Sequence, residues 1–220
     1  MQKLKIILPT VLFLIAAIAD VSAVIVENET IRLVSKPMLI TLLALVYLVS
    51  VSKPNFWFVL GLFFCFLGDV FLLFNGTNFF MLGLAAFLLG HVVYIKVASS
   101  FLPSHLTFKI VTSALPFVFF LVLLLYIIQN NLGELLFPVV VYGVTISSFG
   151  TVALLNYREE KSIENTWLFI GALTFIVSDS LLALNKFYEP SRIFEISIMI
   201  TYIVAQFLIC KAMIVKTNTH

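Results

Sequence analysis

The chain has 220 residues, is 62% hydrophobic with a mean hydropathy of +1.14, and carries 11% charged residues for a formal net charge of +2. No water-soluble core needs that apolar fraction, continuous apolar runs exclude a β-barrel with its short alternating segments, and the charge balance points to no nucleic-acid partner. What remains is an all-α, polytopic integral membrane bundle: a single transmembrane domain over residues 1–220, with no room in its loops for a soluble domain.

A helical crossing takes about 20 residues. The apolar runs predict eight transmembrane helices, at about 6–26, 33–51, 55–74, 78–98, 108–128, 134–156, 165–187 and 192–215. The first follows Lys3 and Lys5 and contains Val21-Ser22-Ala23, the pattern of a leader cleavage site. Its apolar stretch continues through Val26, and Asp20 is out of place in a discarded leader, so it is read as a span. Short connections follow at Ser52-Lys53-Pro54, Asn75-Gly76-Thr77, Gln129-Asn130-Asn131 and Arg158-Glu159-Glu160-Lys161, and Pro37, Pro54 and Pro190 are read as marking helix starts. Cys65 and Cys210 fall within apolar segments and read as packed thiols, with no disulfide framework implied. Of the three histidines, only His91 is intramembrane; His105 and His220 are not.

Eight spans put both termini on one side. That side collects Lys3, Lys5, Lys53, Lys96, Lys109, Arg158, Lys161, Lys211 and Lys216, against Arg32, Lys36, Lys186 and Arg192 on the other. Basic residues stay cytoplasmic, so the expectation is a bacterial cell-membrane protein with cytoplasmic termini.

Two spans carry an acid in nearly the same frame: GLFFCFLGDVFLLF with Asp69 and, half the chain's length further on, GALTFIVSDSLLAL with Asp179. Gly61 and Gly171 precede the acids by eight residues, and the small Gly68 and Ser178 precede them directly. This repeat suggests two four-helix halves related by a pseudo-twofold axis along the membrane normal. A carboxylate in hydrocarbon is costly and marks a functional site by default.

From the helical rise per residue, Asp69, Asp179, Asp20, Tyr142 and Tyr202 fall about 8–15 Å below the outer face, and His91 and Gln206 about 20 Å below it. Lys36 sits near the outer start of its span. Polar groups at such depth need partners, and one shared cavity supplies them. Simpler readings stand beside this one: Asp20 paired with Lys36, the tyrosines as packing aromatics, Gln206 bonding across helices from the face of Tyr202, His91 in contact with Tyr94, and Lys186 snorkelling outward.

Two buried carboxyls can divide the roles of general acid and general base for water, with no nucleophile, metal or cofactor. No Walker loop, nucleophile elbow or zinc helix is present. The pattern does not say which aspartate takes which role.

The segments LVSKPMLITLL, FLGDVFLLF, FLLGHVVYI, FPVVVYGVTI, FIVSDSLLALNKF and ITYIVAQFLI, in that order along the chain, resemble the YhhN-like lysoplasmalogenase family. The resemblance implies eight helices and hydrolysis of the vinyl ether of lysoplasmalogens, an ether hydrolase of lipid metabolism. It implies Asp69 and Asp179 as catalytic, and Lys36, His91, Tyr142, Tyr202, Gln206 and Asp20 as substrate-binding positions. The implied partners are a lysophospholipid substrate and membrane lipids, with no particular oligomeric state. Rival readings from the same residues are a proton-coupled transporter and a non-catalytic lipid-binding membrane protein.

Overall fold

The computed structural model describes residues 2–103 and 107–219, so His105 and His220 lie outside the described residues. Among the described residues, eight α-helices follow in order: α1 (Gln2–Ile25), α2 (Glu29–Ser50), α3 (Phe56–Phe71), α4 (Thr77–Ser99), α5 (Thr107–Ile128), α6 (Leu136–Glu159), α7 (Ile163–Phe187) and α8 (Arg192–Thr219). All but α3 are long and apolar enough to cross a membrane. The protein is an integral membrane helical bundle.

Short polar side chains start several helices. Asn28 accepts from the Ile31 amide at 3.1 Å, Asn55 from that of Phe58 at 3.1 Å, and Ser162 from that of Asn165 at 3.4 Å, each satisfying an otherwise orphaned N–H. Pro54 and Pro190 stand just before α3 and α8, where a proline does least harm. Pro37 corrects the expectation: α2 begins at Glu29 and Pro37 lies inside it. The missing N–H removes one bond of the ladder, a loss that buried neighbouring helices tolerate in a membrane.

α3 also departs from the expected span. It ends at Phe71, and Leu72–Phe74 wind away in tight turns. Its 16 residues fall about four short of the length that crosses a hydrocarbon core. The missing length at the end opposite the termini is where the polar cavity opens.

α2, α3, α4, α6, α7 and α8 close a ring, each packed on the next, with α8 returning to α2. α1 packs outside on α2 and α8, and α5 outside on α6 and α7. The sequential pairs α1–α2, α2–α3 and α3–α4 have counterparts in α5–α6, α6–α7 and α7–α8, but α1 also packs on α8 whereas α5 also packs on α7.

Close helix approach depends on missing side chains. A Cβ on Gly171 of α7 would stand 3.1 Å from the Ile209 amide nitrogen and 3.2 Å from the Ala205 carbonyl oxygen of α8. Backbone cannot give way as a side-chain tip does, so small residues hold such an interface. Gly171→Leu is expected to destabilise the protein by about 1–3 kcal/mol or more, measured as a lower thermal-unfolding midpoint in detergent, with Gly171→Ala showing a smaller fall.

Candidate active site

At the end of the bundle opposite the termini, a cavity of about 210 Å³ opens between α2, α3, α4, α7 and α8. Asp69 from α3 and Asp179 from α7 both line it. Asp69 is 1% exposed, and its carboxylate accepts a 2.6 Å hydrogen bond from the Tyr202 hydroxyl of α8. Asp179 is half-buried and accepts a hydrogen bond from the Tyr142 hydroxyl of α6. Each acid therefore has a phenol on a neighbouring helix that fixes its orientation.

The chain of polar contacts continues inward from Asp69. Gln206 donates its amide to the Tyr202 oxygen at 3.4 Å, its carbonyl accepts from the Tyr94 hydroxyl at 3.1 Å, and the Cys65 thiol donates to that hydroxyl at 3.7 Å. Both cysteines are free and buried. Gln206 and Tyr94 thus hold Tyr202 from behind and do not line the cavity.

His91 also lies behind the cavity, fully buried against the rings of Phe175, Tyr142, Phe149 and Tyr94, with centroids 4.5–6.4 Å away. Among the described residues, neither ring nitrogen makes a well-formed hydrogen bond; the Phe87 carbonyl, one turn back, is a weak partner. The imidazole packs against the tyrosine that holds Asp179.

The basic side is Lys36, Arg32 and Lys186, all on the cavity wall. Lys36 is 5% exposed and, among the described residues, has no hydrogen bond or ion pair, although its charge acts on Asp69. Arg32, one turn earlier on α2, has a buried Nε with no partner among the described residues. Lys186 reaches the exposed mouth, its ammonium 5.4 Å from the centroid of the Phe80 ring. Asp20 does not pair directly with Lys36. It is fully buried and accepts a 2.8 Å hydrogen bond from Ser35, outside the cavity lining.

Of the catalytic and substrate-binding candidates, Asp69, Asp179, Lys36 and Tyr202 share the cavity. Tyr142 faces a second, apolar cavity on the far side of Asp179, while His91, Gln206 and Asp20 stand behind the walls. Arg32, Glu195 and Asn185 were missed. For Arg32 and Glu195 the signal was helical spacing: Arg32 lies four residues before Lys36 and Glu195 seven before Tyr202, each on the same face as its partner.

Fold and site together define a polytopic membrane protein whose helices enclose an acid-bearing, cation-rimmed cavity at one end of the bundle. The chain belongs to the YhhN family, whose model matches residues 31–213. It is 34% identical over 153 residues to lysoplasmalogenase TMEM86A of Homo sapiens, across 68% of this chain and 61% of that protein. It is 31% identical over 155 residues to lysoplasmalogenase TMEM86A of Bos taurus, with the same shares covered. The chain thus spans less than two thirds of the length of these curated relatives. No solved structure matches it.

Proposed function

We propose that this protein hydrolyses the vinyl ether of a lysoplasmalogen, releasing a fatty aldehyde and a glycerophosphoethanolamine or glycerophosphocholine. The observation that carries this reading is the meeting of Asp69 and Asp179, from two halves of the chain, on one cavity rimmed by cations. The names of the curated relatives supply the substrate class.

A vinyl ether is cut by protonation on carbon. One carboxylic acid gives its proton to the alkenyl carbon remote from oxygen, leaving an oxocarbenium ion. The other carboxylate stabilises that cation and takes a proton from the water that adds to it. The hemiacetal then collapses: its hydroxyl loses a proton, the glyceryl oxygen gains one, and the carbon–oxygen bond breaks. The sum is one water consumed and no change in oxidation state.

The surroundings favour one assignment of roles. Lys36 shares the cavity wall with Asp69 and suits an ionised base, whereas Asp179, with an apolar cavity at its back, suits the acid. Lys36, Arg32 and Lys186 suit a phosphate diester, and Glu195 at the same mouth suits the ammonium of the headgroup.

The cavity then faces away from the cytoplasm, because the basic residues of the opposite end stay inside. Reporter fusions at the carboxy terminus are expected to read cytoplasmic; an external reading overturns this orientation. The functional reading is tested by assaying the purified protein for aldehyde.

A further inference from the structure

The cation-rimmed cavity suits a headgroup, which leaves the hydrocarbon chain to be placed. A second cavity of about 40 Å³ lies between α5, α6 and α7, lined mainly by apolar side chains such as Leu121, Leu124, Val139, Ile146, Ile176 and Ala183. Asp179 lines both cavities, and Tyr142, which holds it, lines the second. Ser180, also on this wall, donates its hydroxyl to the Ile176 carbonyl of its own helix at 2.6 Å.

We propose that the space between α5, α6 and α7 seats the segment of the alkenyl chain next to the vinyl ether. This rests on the lysoplasmalogen reading above. In such a lipid the vinyl ether is the junction between a polar headgroup and an apolar chain, and Asp179 is the junction between a polar cavity and an apolar one. A lipid laid across it, headgroup among Lys36, Arg32 and Lys186, brings its reactive carbons to that carboxyl. The lining from Val139 to Ser147 follows α6 for more than two helical turns, along the bilayer normal as a lipid chain runs. α5 forms the outer wall, with Val118, Phe119, Val122 and Tyr126 exposed on its other side, where the rest of the chain meets the bilayer. A larger groove of about 350 Å³ between α2 and α3 is also apolar, but neither aspartate lines it.

Two measurements test the placement. Ala183 lies one turn after Asp179, and Ala183→Phe narrows the cavity while Leu124→Ala widens it. The first is expected to lower kcat/KM for a hexadecenyl substrate relative to an ethenyl one, which has no chain beyond the vinyl carbons, by about tenfold or more, and the second to shift that ratio the other way. Ala44→Phe, in the groove between α2 and α3, leaves the ratio at its wild-type value. A ratio unmoved in both folded cavity variants, or moved by Ala44→Phe instead, overturns the placement. The second measurement is independent of hydrolysis: a saturated alkyl-ether lysophospholipid with a diazirine beside the ether is photolysed on the intact protein and the adducts are mapped. Adducts on Leu124, Ile146 or Ala183 support the placement, and adducts confined to α2 and α3 overturn it. A wild type that labels at these residues yet releases no aldehyde refutes the hydrolase reading and leaves the chain site standing.

Discussion

Asp69→Asn and Asp179→Asn are each expected to lower lysoplasmalogen hydrolysis by about 100-fold or more while the protein stays folded. Asparagine keeps the shape of aspartate and removes only its charge and its transferable proton. Tyr202 and Tyr142 retain an amide oxygen to bond, and a neutral amide is less costly to bury than an ion, so the fold bears the change. The wild-type kcat/KM is expected to be bell-shaped in pH. With Asp69 as base its variant loses the acidic limb, because no carboxylate remains to be protonated; with Asp179 as acid its variant loses the basic limb. Kinetics on detergent-purified protein, with circular dichroism as the check of folding, decide the matter. Full activity in either folded variant removes that aspartate from the mechanism and favours a transport or lipid-binding role for the cavity.

Lys36→Ala is expected to act chiefly on binding. A charge-assisted hydrogen bond from a desolvated ammonium to phosphate contributes about 1.5–3 kcal/mol, which corresponds to roughly a 10–100-fold rise in KM. A smaller fall in kcat follows from the loss of a positive charge near Asp69. Comparison with an alkenyl glycerol that lacks phosphate separates the two effects. Loss confined to the phosphate-bearing lipid assigns Lys36 to the headgroup, and equal loss on both assigns it to Asp69.

The eight helices were legible because each had to carry its own apolar run, and the ends of several runs were marked by charge, proline or a capping side chain. The two misreadings share a cause. Pro37 resembles a helix start by local rules, yet α2 begins at the Asn28 cap and carries the proline in its interior. Leu72–Phe74 is apolar enough to continue α3, yet it turns away to line the cavity mouth. Local propensity holds no record of which neighbour takes up a lost hydrogen bond, or of where a cavity interrupts a span.

The site was legible where burial is most costly. Asp69 and Asp179 stood out because an acid within a run of phenylalanine and leucine has few structural uses. Arg32, Lys186 and Glu195 did not, since charges near span ends also anchor helices at the interface. The chain Tyr202–Gln206–Tyr94–Cys65 joins three helices, and only the tertiary ring decides which faces of those helices meet.

The most direct test is hydrolysis of a purified alkenyl-lysophosphoethanolamine by the detergent-solubilised protein in D₂O containing D₂¹⁸O. Acid/base cleavage of the vinyl ether releases fatty aldehyde and glycerophosphoethanolamine in equal amounts. The aldehyde should carry one deuterium on the carbon beside the carbonyl, delivered in the protonation step, and the glycerophospho product should carry no ¹⁸O, because its own oxygen never leaves it. Folded protein that releases no aldehyde, or that places ¹⁸O in the glycerophospho product, contradicts acid/base cleavage of the vinyl ether at Asp69 and Asp179.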